Sequence, residues 1–118
     1  MRKWVLAALI ALFLCGQALA AGPAIEEGNR IQFTAADQET STIFRIRAIA
    51  WISAAGSEIG ADDGFLLEDA AGTVVVGAEA TAVSDQFIIT FPGAGLVVAG
   101  LKAEDLGGGY LYIFGERL

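Results

Sequence analysis

Ile43-Phe44-Arg45-Ile46-Arg47-Ala48-Ile49-Ala50-Trp51-Ile52-Ser53 is the stretch that decides the fold. No glycine or proline interrupts it, and its β-branched and aromatic residues suit a pleated surface. Its apolar positions recur at a spacing of two rather than 3.6. In an extended strand successive side chains point to opposite faces. Phe44, Ile46, Ala48, Ala50 and Ile52 then share one face, which is expected to enter the core. Ile43, Arg45, Arg47, Ile49 and Trp51 share the other, with the arginine end meeting solvent and Ile49 and Trp51 covered by a neighbouring loop or subunit. Ala54-Ala55-Gly56-Ser57 breaks the run.

Reading outward, the same alternation of apolar runs and turn residues repeats. Asp62-Asp63-Gly64 leads into Phe65-Leu66-Leu67-Glu68, and Asp69-Ala70-Ala71-Gly72 supplies a hairpin connection ending in glycine. Residues 73–82 are expected to return antiparallel, with Val74, Val76, Ala78 and Ala80 facing the core against Thr73, Val75, Glu79 and Thr81. Ser84-Asp85 turns the chain, and residues 86–91 form a strand that Pro92-Gly93 stops. Residues 96–101 read as a short strand, followed by Lys102-Ala103-Glu104-Asp105 as one helical turn or a loop. Gly107-Gly108-Gly109 then turns into a closing strand with Tyr110, Tyr112 and Phe114 on one face and Leu111 and Ile113 on the other. Upstream, residues 30–34 add a strand, while residues 21–29, with Pro23 and Gly28 and no apolar period, read as a flexible leader. Short strands in this number, about seven, with regular turn signals predict an all-β fold. The expected architecture over residues 30–118 is one antiparallel two-sheet sandwich of Ig-like or jelly-roll kind, its strand order left open.

The amino terminus has the plan of a signal peptide over residues 1–20. Met1-Arg2-Lys3 is basic, residues 4–15 are apolar, and Ala18 and Ala20 are the small residues before cleavage. The apolar run stops at Gly16-Gln17, short of the roughly 20 residues that a retained span requires. Bulky Leu14 beside Cys15 argues against lipoprotein processing. The expected location is therefore secreted, periplasmic or at the cell surface. Cleavage would remove 20 of 118 residues, leaving 98 and no cysteine, so no disulfide supports the fold. It would also leave five of the seven basic residues against fourteen acidic ones, a net charge of −9. Nucleic acid and anionic membrane are poor partners for such a chain, and membrane contact is expected only transiently, through the signal peptide.

Catalytic chemistry has little to work with. The sequence has no histidine, which removes the commonest general base and, with cysteine absent beyond residue 15, the usual zinc ligands and nucleophile systems. Two carboxyl groups facing each other across a cleft need room that short loops do not offer. The expectation is a non-enzyme without a cofactor. Asp62, Asp63, Glu68 and Asp69 are the densest acidic group, but their spacing matches no calcium loop, and they read as turn formers. Gly93-Ala94-Gly95 and Gly107-Gly108-Gly109 match no phosphate loop and read as turns. Trp51, Tyr110 and Tyr112 remain as candidates for a protein interface or a ligand platform, with burial in the core as the alternative.

Ala50-Trp51-Ile52 ending a long strand, the hairpin Glu68-Asp69-Ala70-Ala71-Gly72-Thr73-Val74, the pair Gly100-Leu101, and Leu106-Gly107-Gly108-Gly109-Tyr110-Leu111-Tyr112-Ile113 occur in an order that resembles small β-sandwich proteins encoded in tailed-phage and prophage genomes. The resemblance implies a non-enzymatic structural or accessory role in a particle. The functional expectation is thus an exported structural or protein-interaction domain, with self-assembly as a homo-oligomer, filament or particle as one form of it. A small extracellular module binding carbohydrate or calcium is the alternative.

Overall fold

The computed structural model describes residues 22–83 and 86–118. The signal-peptide reading of residues 1–20 and the turn at Ser84-Asp85 lie outside them. The described residues form eight strands and no helix: β1 Ile25–Glu27, β2 Arg30–Phe33, β3 Glu39–Ile52, β4 Gly64–Asp69, β5 Val74–Glu79, β6 Phe87–Thr90, β7 Leu96–Leu106 and β8 Tyr110–Arg117. Every pairing between them is antiparallel, as the period-two pattern predicts.

Residues 43–52 lie in β3, whose 14 residues make it the hub. Along one edge it pairs first with β7 and then with β6; along the other it pairs with β8. The strand order is β1-β2-β8-β3-β7-β4-β5, with β6 attached to β3. Both arms therefore belong to one continuous hydrogen-bonded sheet, where two sheets were expected. A strand of about 45 Å is long enough to carry a different set of neighbours at each end. Buried side chains from both arms, including Phe44, Trp51, Phe65, Leu67, Leu101, Leu111 and Ile113, make a single core cluster.

The expected core face of β3 holds for only half the strand. Phe44 and Ile46 are buried, but beyond them Ile49 and Trp51 are buried while Ala48, Ala50 and Ile52 are only half-buried. A β-bulge causes the switch. Ile46 pairs with Gly115 and Ala48 with Phe114, so Arg47 has no residue opposite it and the alternation changes phase. A second bulge in β5 sets Leu67 against Val76 but Glu68 against Val74, leaving Val75 unopposed. Ala80 is buried and Val76 and Ala78 pack on the core as expected, but Val74 is exposed and Val75 takes a place against the core instead.

Two further segments differ from expectation. Lys102-Ala103-Glu104-Asp105 is neither a helical turn nor a loop but continues β7 through Leu106. Ala103 lies fully buried opposite Leu67, and its N–H and C=O bond the Gln38 carbonyl and the Asp37 N–H at 3.0 and 2.7 Å. Pairing on both sides outweighs a polar local composition. Residues 22–29, read as a patternless leader, instead carry β1, which pairs with β2 around Gly28-Asn29. Ala24 is buried, and its N–H bonds the Glu39 carbonyl at 3.1 Å.

Candidate functional site

The phase change at Arg47 creates a surface that neither arm would have by simple alternation. In β8, Leu111 and Ile113 point into the core, so Tyr110, Tyr112, Phe114 and Glu116 point away from it. Directly paired residues share a face, so the registers extend this outward set across five strands. One row runs Ile88, Ala50, Tyr112, Gln32, Ile25, and the next runs Thr90, Ala48, Phe114, Arg30, Glu27. Farther along, Val97, Arg45 and Glu116 align, and Ile43 sits beside Leu118, whose N–H bonds the Ile43 carbonyl at 3.0 Å.

This outer face is apolar to a degree unusual for solvent. Of the eight large hydrophobic residues exposed among the described residues, six belong to it: Ile25, Ile43, Ile88, Val97, Phe114 and Leu118. Contiguous apolar patches of this kind mark interaction surfaces, whereas scattered ones mean little. The rings of Tyr112 and Phe114 lie 6.3 Å apart and nearly parallel, and the Arg30 guanidinium stands 5.5 Å above the Tyr112 ring.

The charges on the face are mostly paired within the chain, three arginines against two glutamates. Arg47 donates from Nε and Nη2 to Glu116 Oε1 at 3.1 and 2.9 Å, Arg45 stands 3.7 Å from the same oxygen, and Arg30 pairs with Glu27. Glu68, Asp69 and Glu79 lie instead on β4 and β5, Glu104 and Asp105 at the far end of β7, and Glu58, Asp62 and Asp63 in the β3–β4 connection. The molecule therefore has an apolar side with a single arginine in excess and an acidic side.

The three aromatic candidates do not come together. Tyr110 and Tyr112 are half-buried members of the outer face. Trp51 pairs with Leu111 and points the opposite way, 1% exposed, its Nε1 donating to the Gly108 carbonyl at 2.7 Å and its ring 4.9 Å from that of Phe65. Of the alternatives weighed for Trp51, it takes the place in the core. The face residues that sequence reasoning missed are Ala48, Ala50 and Ile52, expected inside, and Ile25, assigned to a leader.

The acidic turns are occupied by backbone. Asp63 Oδ2 accepts the Gly60 N–H at 2.6 Å, and Asp69 Oδ1 accepts those of Ala71 and Thr73 at 3.0 and 2.9 Å. Among the described residues, no three acidic, cysteine or histidine side chains group closely enough to hold a metal ion. Gly107-Gly108-Gly109 forms the turn between β7 and β8, and it packs against the β3–β4 connection through Gly109 N–H to the Ser57 carbonyl at 3.0 Å.

A separate shallow groove of about 520 Å³ is lined by Pro23, Glu26, Glu39, Thr40, Ser41 and Ala70. Glu26 is its most constrained group, accepting hydrogen bonds from the hydroxyls of Thr40 and Thr42 at 2.5 and 2.8 Å and from Arg117 Nη2 at 3.1 Å. The Thr40 and Thr42 hydrogen bonds hold its carboxyl below the usual glutamate range, against an opposing effect of burial, and Arg117 adds to the lowering. A carboxylate so held ties β1 to β3 and β8 and is a poor proton shuttle.

Comparison of the chain with protein-family models, with curated proteins and with solved structures finds no match.

Proposed function

We propose that the protein is a non-enzymatic structural or protein-interaction domain, exported from the cytoplasm, that works through the outer face of β1, β2, β8, β3 and β6. The observation that carries this reading is the concentration of exposed apolar side chains on one face, with its charges nearly balanced, of an otherwise acidic chain. Burying such a face against protein gains apolar contact while most of its charges keep partners within the chain. Export is supported by the signal-like residues 1–20. A particle or filament subunit is the form of this role that the phage-like order of motifs suggests. The ligand-module alternative gains little: Trp51 is buried, and the Asp63 and Asp69 carboxylates are engaged by backbone.

The test is a photo-crosslinking residue placed at Ile88 or Phe114 in the producing cell. The expected result is a discrete protein adduct from these positions and none from Val74, which is exposed on the other arm. Absence of any adduct from both face positions would sink the reading.

A further inference from the structure

We propose that the occupant of the outer face is a second copy of the same chain, related by a twofold axis. The inference rests on the interaction reading above and names its partner.

Charge is the first argument. Arg30 is paired with Glu27, and Arg45 and Arg47 share Glu116, so the face carries only one positive charge in excess on an otherwise acidic chain. Two copies meeting face to face bring nearly balanced surface together and turn their acidic arms away from each other. Packing arm on arm would instead set acidic surface against acidic surface.

Relief is the second. Small Ala48 and Ala50 on β3 form a trough flanked by Ile88 of β6 on one side and by Tyr112 and Phe114 of β8 on the other. A ridge beside a trough is self-complementary: rotated by a twofold axis, the β8 ridge of each copy lies in the alanine trough of the other.

Size is the third. The face runs roughly 30 Å along β3 and β8 and roughly 20 Å across its strands, on the order of 600 Å² for each copy. Standard interfaces bury about 800 Å² per partner, so a reversible rather than an obligate dimer is expected.

The experiment is sedimentation equilibrium of the purified protein from micromolar to millimolar concentration, with Ile88→Glu, Phe114→Glu and, as a control on the other arm, Val74→Glu. All three positions are exposed, and unchanged Trp51 emission reports that each variant is folded. The expected result is a monomer–dimer equilibrium weakened about thirty-fold or more by Ile88→Glu or Phe114→Glu and little changed by Val74→Glu. Added salt should leave the dimer intact or strengthen it, because the acidic arms repel. A monomer at every concentration, or a dimer disrupted by Val74→Glu alone, would overturn the inference. So would a crosslink from Phe114 to a different protein, which would nonetheless leave the interaction reading standing.

Discussion

Gly115 approaches Arg45 so closely that a Cβ on the glycine would overlap the Arg45 carbonyl oxygen. The contact sits beside the bulge at Arg47, where β3 carries one residue more than β8. The constraint is steric, since backbone and the Phe44 ring leave no room for a methyl group, and Gly115 is not among the glycines with positive φ. Gly115→Ala is expected to destabilise the fold by about 2–4 kcal/mol, as overpacking against backbone does. Gly72→Ala is the comparison. There φ is +86 with open space around it, so only the torsional cost of about 1 kcal/mol applies. Urea unfolding of the two variants checks the order, and equal losses would contradict the close approach.

Trp51 joins the core to the glycine turn through its hydrogen bond to the Gly108 carbonyl. Trp51→Phe removes that donor, leaves a buried carbonyl without it, and shrinks the ring. The expected loss is about 1–3 kcal/mol, rising to about 3–5 for Trp51→Ala. The only other tryptophan is Trp4, so fluorescence of the chain with residues 1–20 removed reports Trp51 alone. Its emission should be blue-shifted in the native state and move red on unfolding; a red native emission would contradict its burial.

The same tryptophan shows how far the sequence could be read. Period two identified β3 as a strand, and it separated Leu111 and Ile113 from Tyr110 and Tyr112 in β8, because a half-buried strand records its faces in its composition. It could not register an inserted residue, and one unopposed Arg47 exchanged Ile49 and Trp51 with Ala48, Ala50 and Ile52. A clue was present: from Ala48 to Trp51 the large residues stand at odd positions and the small ones at even positions, the reverse of what an unbroken core face would choose. β1 and the end of β7 were hidden for other reasons. β1 is three residues long, too short to show a period, and pairs in a tight hairpin with β2; the end of β7 takes its strand character from partners distant in sequence, Gln38 and Leu67 for Ala103. The outer face was legible through Tyr110, Tyr112 and Phe114 and through the Ile43 and Arg45 end of β3, but its other rows exist only once the register is known.

Chelation should have no effect on stability. The Asp63 and Asp69 carboxylates already serve backbone N–H groups, and adding EDTA is expected to leave Tm unchanged. A fall in Tm that calcium restores would show instead that the acidic turns hold an ion.

Acid should find the protein's weak point at Glu26. Its folded pKa is lowered chiefly by the hydroxyls of Thr40 and Thr42, with Arg117 assisting, so its folded form prefers to be charged. A lowered folded pKa means that the unfolded chain takes up the proton first as pH falls. The stability this group contributes is therefore fully present above the ordinary glutamate pKa and is lost as pH drops through that range toward the lower folded value. Glu26→Gln keeps the shape but gives up the charge-assisted bonds, and is expected to cost about 1–2 kcal/mol at neutral pH. Its stability should also vary less with pH on the acid side, because one carboxylate fewer is linked to folding. Urea midpoints measured for both proteins from neutral pH down to the carboxylate range decide the matter: parallel curves would remove Glu26 from the acid response, whereas convergence toward low pH identifies it as the latch that holds β1 and the end of β8 to β3.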